Sequence, residues 1–416
     1  MTCCLNNPRT CVMEFFFRKK KNIRTAVSLT LAFATLLMLQ KLITVDTNVK
    51  DTKVELKNKR CGTKCSSLND NTITTLGNAS QLRGDGLELT GKPMPTTWDV
   101  NTINCTEKSI LRTQGWFRGL NPRFHQFVLH RHCRYFPMLL NHPEKCSNDV
   151  DLLVVVKSVI EEHDRREAVR KTWGKEQVVR GMKIKTLFLL GTPATGKDAR
   201  NLQALVKYED QTYGDILQWD FMDTFFNLTL KEVNFLRWFN IYCSKVPFIF
   251  KGDDDVFVNI QNLVELIGFR IEENRVKNLI VGDTILKAKP IRNRQSKYFI
   301  PKELYDKPYP PYLGGGGFLM SSQVARRLFV VCENVELYPI DDVFLGMCLQ
   351  RLNITPELHH AFRTFGIIKR KVTPLNREPC FFKNLIVVHK LGPRELLSMW
   401  SLVQNKDLTC ARKTVF

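Results

Sequence analysis

The chain has 416 residues, 44% hydrophobic, 10% aromatic and 25% charged, and its 62 Lys and Arg against 41 Asp and Glu give a formal net charge of +21. It is long and apolar enough for one large globular domain with extensions, which sets aside a disordered or fibrous chain. Lys and Arg are scattered along the whole length, with no zinc-finger spacing and no arginine-rich tract, so a nucleic-acid reader is set aside as well.

Residues 1–24 carry Arg18, Lys19, Lys20, Lys21 and Arg24, and residues 25–39 then run without a charge before Lys41, with Leu42, Ile43 and Val45 beyond. A membrane-spanning helix needs about 20 mostly apolar residues. The spacing therefore predicts a signal-anchor over 25–45, with Lys41 reaching back to the headgroups. No small-residue cleavage site follows Leu39, which disfavours a removed signal peptide. The positive N-terminal flank keeps 1–24 in the cytosol and sends the rest across. The result is a single-pass type II topology, and the short span suits the Golgi membrane. In that lumen the positive field would draw nucleotide phosphates and sulfated or sialylated glycans.

Residues 46–97 are polar and rich in Thr, Asn, Lys and Asp, a composition that reads as a flexible stem. The lumenal domain follows over 98–416. Of 13 Cys, three (Cys3, Cys4, Cys11) fall in the tail as free or palmitoylated thiols, and the other ten form an even set suited to disulfides in an oxidising lumen. Their connectivity stays open. Cys61 and Cys65 have no second pair at zinc-finger distance. Sequons stand at Asn78, Asn104, Asn227 and Asn353.

Within the domain, residues 124–146 read as an ordered cap, and strands and helices then alternate. The wholly apolar run 152–156 predicts a buried parallel strand, followed by a helix over 165–173. Strands are expected at 187–190, 216–219 and 248–250, with helices through Leu202 to Tyr208 and over 228–241. Such alternation predicts a mostly parallel sheet with its ligand site at the carboxyl ends of the strands. The strand at 248–250 empties into Asp253-Asp254-Asp255 before an apolar strand resumes. Three adjacent carboxylates repel one another unless a cation lies among them. With apolar flanks, the triplet reads as a clamp for Mg²⁺ or Mn²⁺ that also grips a diphosphate, hence as a nucleotide-sugar site. No Gly-x-Gly-x-x-Gly or Walker pattern supports a dehydrogenase or P-loop enzyme.

Arg166 and Arg170, four apart on one helix face, can converge on uridine or phosphate or pair with Glu167 or Glu162. Trp173 packs the same site or belongs to the core. Gly314 to Gly317, with Gly315 and Gly316 at the centre, put bare backbone beside a ligand or form a flexible loop. His389, at the end of an apolar strand, is a third Mn²⁺ ligand or a structural histidine. Asp341 and Asp342 open a helix, where one acid suits the dipole.

In this order, the blocks 165–174, Asp223 to Lys231, Asp253 to Asp255, Tyr309 to Phe318 and Asp341 to Gly346 resemble the β-1,3-glycosyltransferases of glycosyltransferase family 31, over residues 98–416. The wording of 132–137 and 378–382 is most similar to its β-1,3-N-acetylglucosaminyltransferases of keratan sulfate or poly-lactosamine type. The resemblance implies a GT-A fold, a Mn²⁺ cofactor, a UDP-GlcNAc donor and a β-galactose-terminated glycan acceptor. It implies Asp255 as direct metal ligand, Asp253 holding metal and ribose or donor sugar, and Asp254 acting through water. It makes Asp342 the catalytic base with Asp341 orienting it, and it sets Asp223 and Lys231 in the nucleotide pocket. A β-1,3-galactosyltransferase using UDP-galactose and a catalytically silent glycan-binding protein are the alternatives, and homo-oligomerisation is left open.

Overall fold

In the computed structural model, which describes residues 95–194, 196, 198–365 and 377–410, the apolar run becomes strand β2, and the reason is burial on both faces. After a short edge strand β1 (Met138–Leu140), β2 spans Leu152–Lys157 and is buried at every position. Side chains alternate along a strand. Leu153 and Val155 accordingly join one core, while Leu152, Val154 and Val156 join another on the opposite face. Helices Leu228–Trp238, Ser322–Cys332 and Asp341–Arg351 supply the first core, and His163–Lys171, Ile260–Glu272 and Pro393–Gln404 supply the second.

Strands β3 (Gln177–Val179), β4 (Met182–Thr192), β5 (Ile216–Met222) and β6 (Phe248–Asp253) follow, then β7 (Val256–Val258), β8 (Ile280–Ile285), β9 (Tyr312–Ser321), β10 (Glu357–Leu358), β11 (Phe362–Arg363) and β12 (Val387–His389). The main sheet runs β1-β5-β4-β2-β6-β9-β8-β10, with β3 beside β4, and a small sheet runs β11-β12-β7. β5, β4, β2 and β6 are parallel, as their alternation with helices predicts. The sheet as a whole is mixed, because β9 inserts antiparallel between β6 and β8. Its glycines, Gly314 to Gly317, are strand, which sets aside the flexible-loop alternative.

Two disulfides, Cys105–Cys133 and Cys146–Cys243, tie down the cap, and Cys380–Cys410 closes the C-terminal segment. The even set is not wholly paired: Cys332 and Cys348 are buried free thiols. Asn104 and Asn353 are exposed, whereas half-buried Asn227 donates its side-chain amide to the Met222 carbonyl at 2.8 Å. Among the described residues, no helix is long and apolar enough to cross a membrane. The tail 1–24, the anchor 25–45, the stem as far as residue 94, Asn78 and the cysteines at 3, 4, 11, 61 and 65 lie outside them.

Candidate active site

Two neighbouring parallel strands, β2 and β6, end side by side, and their last residues begin the site. β2 and β6 are in register so that Lys157 lies opposite Asp253. The turn after β6 carries Asp254 and Asp255, and β7 then pairs antiparallel with β12, which sets His389 opposite Val256. Ligand atoms of Asp253, Asp255 and His389 lie within 4.8 Å of one another, a group that could hold a metal ion. The His389 ring gives its Nδ1 hydrogen to the Thr364 carbonyl at 2.7 Å and turns Nε2 to Asp255 Oδ1 at 2.9 Å. Burial opposes charge on this imidazole, but the hydrogen bond and charge of Asp255, the Thr364 carbonyl and the Asp253 charge together raise the pKa. Burial likewise opposes the Asp255 carboxylate, yet the His389 bond and the nearby cations hold its pKa below the ordinary value. Two carboxylates and an imidazole nitrogen with a fixed tautomer fit a divalent ion.

Asp254 turns away from that group. It accepts from Ser158 Oγ at 2.7 Å and from Arg165 Nη1 at 3.2 Å, and burial still pushes its carboxyl up to about 6. Arg165 also lies 3.6 Å from Asp255.

The acid pair faces the triplet across one lysine. Buried Lys157 places Nζ 3.2 Å from Asp253 and 2.6 Å from Asp341. Asp341 and Asp342 open the Asp341–Arg351 helix, and Asp342 Oδ1 accepts from the Val343 N–H at 3.0 Å. Burial and then the neighbouring Asp341 charge push the Asp342 carboxyl up to about 7. Burial opposes ionisation of Asp341 too, but the charge and hydrogen bond of Lys157, with Lys251 behind it, keep that carboxyl below its ordinary value. One acid is therefore committed to a lysine while its neighbour is poised near neutrality, the arrangement expected of a general base.

The glycines of β9 divide by role. A Cβ on Gly315 would lie 3.4 Å from Lys157 Nζ, 3.7 Å from Asp342 Oδ2 and 4.0 Å from Asp253 Oδ2, so its bare backbone faces the site. Gly314 and Gly316 instead make room for Thr364 and His389, and Gly317 for Phe250 and Val387. Of the four, Gly315 alone is not buried.

Other residues expected to contact the donor are partnered within the fold, and Arg166, Trp173 and Lys231 are fully buried. Arg166 is fully buried and commits all five donors: two to Glu209 at 2.8 Å, one to Ser158 Oγ and two to the Val159 and Ile160 carbonyls. Arg170 forks onto Asp215 at 2.8 Å and also pairs with Glu209. Trp173 is fully buried, donating Nε1 to the Val256 carbonyl at 2.8 Å and meeting Phe250 edge-on. Lys231, also fully buried, lies 2.9 Å from Asp223 and donates to the Ser158 carbonyl; Asp223 in turn accepts from the Gly191 N–H at 2.9 Å. Arg166→Ala is expected to cost about 3 kcal/mol, the low end for breaking a buried pair, because Arg170 and His163 still face Glu209. The midpoint of chemical denaturation reads this. An unchanged midpoint with weakened UDP binding would make Arg166 a donor contact instead.

Sequence reasoning passed over Lys157, Arg165, Ser158 and Thr364. Lys157 had a signal, a lone charge ending an apolar strand. Thr364 had none, since its place depends on the pairing of β11 with β12.

The sequence model of the family described as "Galactosyltransferase" matches residues 164–360. The chain is 56% identical over 323 residues, 77% of its length and 80% of the other's, to the Rattus norvegicus protein "UDP-GlcNAc:betaGal beta-1,3-N-acetylglucosaminyltransferase 7". To "UDP-GlcNAc:betaGal beta-1,3-N-acetylglucosaminyltransferase 9" of Homo sapiens it is 48% identical over 301 residues, 68% and 74% of the two chains. To the Homo sapiens "N-acetyllactosaminide beta-1,3-N-acetylglucosaminyltransferase 2" it is 41% identical over 314 residues, 75% and 78% of the two. A crystal structure of a galactosyltransferase with donor and acceptor sugar analogues overlaps 61% of this chain and 96% of that one, at 13% identity and a TM-score of 0.31, too distant to support an argument.

Proposed function

The chain belongs to the galactosyltransferase family, among relatives that are β-1,3-N-acetylglucosaminyltransferases, and from that premise we propose that it transfers N-acetylglucosamine from UDP-GlcNAc to the 3-hydroxyl of a terminal β-galactose. The observation that carries this reading is the convergence at Gly315, where a Cβ would lie 3.7 Å from Asp342 Oδ2 and 4.0 Å from Asp253 Oδ2, so that bare backbone adjoins both halves of the site. A donor held at the triplet and an acceptor hydroxyl held at the base would meet there. An α-linked donor and a β-linked product require inversion, hence one in-line displacement with no sugar-enzyme intermediate.

Asp253, Asp255 and His389 would hold Mn²⁺, which when bound neutralises charge on the departing diphosphate. Asp342 accepts the acceptor proton. Lys157 ties Asp253 to Asp341 and so fixes the distance between the two halves of the site. The GT-A fold, the division into tail, anchor, stem and a catalytic domain over 98–416, and the type II Golgi location belong to the same proposal. They are supported by the order of motifs and the charge pattern of residues 18–45. Incubating the protein with Mn²⁺ and a panel of UDP-sugars tests the reading. Transfer from UDP-galactose but not from UDP-GlcNAc would move it to the galactosyltransferases that give the family its name.

A sulfated lactosamine or keratan sulfate-type acceptor is supported by the basic loop ahead of β9. Arg292 spends its donors on the Ile300 and Tyr305 carbonyls, and Arg123 pins the carbonyls of Ser296, Lys297 and Phe299, so these two shape the loop. Lys287, Lys289, Arg294 and Lys297 remain exposed, and Lys297 Nζ lies 5.4 Å from the Phe225 ring and 4.8 Å from Tyr298. An aromatic pair with a cation above it suits a sugar ring bearing an anion. The 6-sulfated acceptor should be preferred about two- to fivefold at low salt, the worth of one exposed charge pair, and the preference should shrink as salt rises. Equal efficiency on both acceptors at low salt would rule out sulfate recognition by this loop.

A further inference from the structure

Asp283 and Thr364 touch the metal group only through His389, and neither has a role in the reaction described above. Thr364 follows β11 and is buried, while Asp283 lies in β8 of the main sheet. Both the N–H and the hydroxyl of Thr364 donate to one oxygen of Asp283, at 3.1 and 2.8 Å. The Thr364 carbonyl accepts from His389 Nδ1 at 2.7 Å. An imidazole that donates from Nδ1 presents Nε2 on the opposite side of the ring, here toward Asp255.

The glycines of β9 make this stack possible. A Cβ on Gly314 would fall 2.2 Å from Thr364 Oγ1, and one on Gly316 would lie 3.3 Å from Thr364 Cβ and 3.4 Å from the His389 ring. Sequence space in β9 has thus been given to a threonine and an imidazole from the small sheet.

We propose that Asp283 and Thr364 are positioning residues that fix the tautomer and orientation of His389, and through it the affinity of the site for a divalent cation. This rests on the metal-dependent reading of the site. Partners that orient a metal-binding histidine typically contribute about 10- to 100-fold in metal affinity. A purely structural pair stitching β11 to β8 would affect folding and leave that affinity alone.

The test is Mn²⁺ binding to the full chain without nucleotide, measured by calorimetry, beside thermal melting in chelator. Thr364→Val keeps the volume and the carbonyl but loses the hydroxyl bond, and Asp283→Ala loses both bonds. Each should weaken Mn²⁺ binding about tenfold or more, while Thr364→Ser stays close to the parent. In a His389→Ala background, Asp283→Ala should cost nothing further, since its route to the metal is gone. Binding equal to the parent in the folded variants, or an undiminished loss in that background, overturns the proposal. If Thr364→Val does not fold, the Asp283→Ala pair of measurements decides alone. A parent that binds no Mn²⁺ removes the metal reading itself, and this proposal with it.

Discussion

Asp255→Asn is expected to abolish metal-dependent binding of UDP, and with it transfer, while the domain stays folded. The carboxylate lies in the turn between β6 and β7, partly exposed, and its contacts are His389 at 2.9 Å and Arg165 at 3.6 Å. Neither core depends on it. The amide keeps the size of the side chain but carries no charge, so it can no longer offset a divalent cation. Losing a direct ligand should exceed the 10- to 100-fold that outer-shell changes typically cost. Titration of UDP in the presence and absence of Mn²⁺ reads the effect directly, and the melting midpoint in chelator checks the fold. Full activity in excess chelator, or in this variant, would end the metal-dependent reading.

Much of this site is legible in the sequence because it is local. The Asp253-Asp254-Asp255 triplet, the acid pair and the βα alternation each declare themselves within a few residues. What escapes is decided by distant partners. Arg166 and Arg170 are predicted to share a face, and they do, but on the buried side of their helix, where Glu209 and Asp215 wait. Their neighbour Arg165 points to the triplet instead. No periodicity within 163–171 distinguishes these outcomes, since the helix turns both an arginine and the apolar Ala168 and Val169 inward. The glycine run is similar: its composition signals a tight approach of something, and only the fold reveals that three of the four approaches are to Thr364, His389, Phe250 and Val387. His389 reaches the triplet because β12 runs antiparallel to β7, a pairing across more than a hundred residues.

Asp342→Asn should lower turnover by about 10²- to 10⁴-fold, equivalent to about 3 to 5 kcal/mol of barrier, with UDP-GlcNAc affinity near normal. Asn preserves the shape and can still accept from the Val343 N–H, but it cannot take the acceptor proton. Because burial and Asp341 hold the free Asp342 carboxyl near 7, the base is mostly protonated in acid, and kcat/KM should rise with pH through that region before levelling. The rise should vanish in Asp342→Asn. Asp341→Asn removes the like charge beside the base, so it should move the rising limb to lower pH. Its loss of turnover should be smaller, since Lys157 keeps its contact with Asp253 at 3.2 Å. If Asp341→Asn is the more damaging change with both proteins folded, the two acids exchange roles. If neither slows transfer, the proton goes elsewhere and the acid pair is not the base.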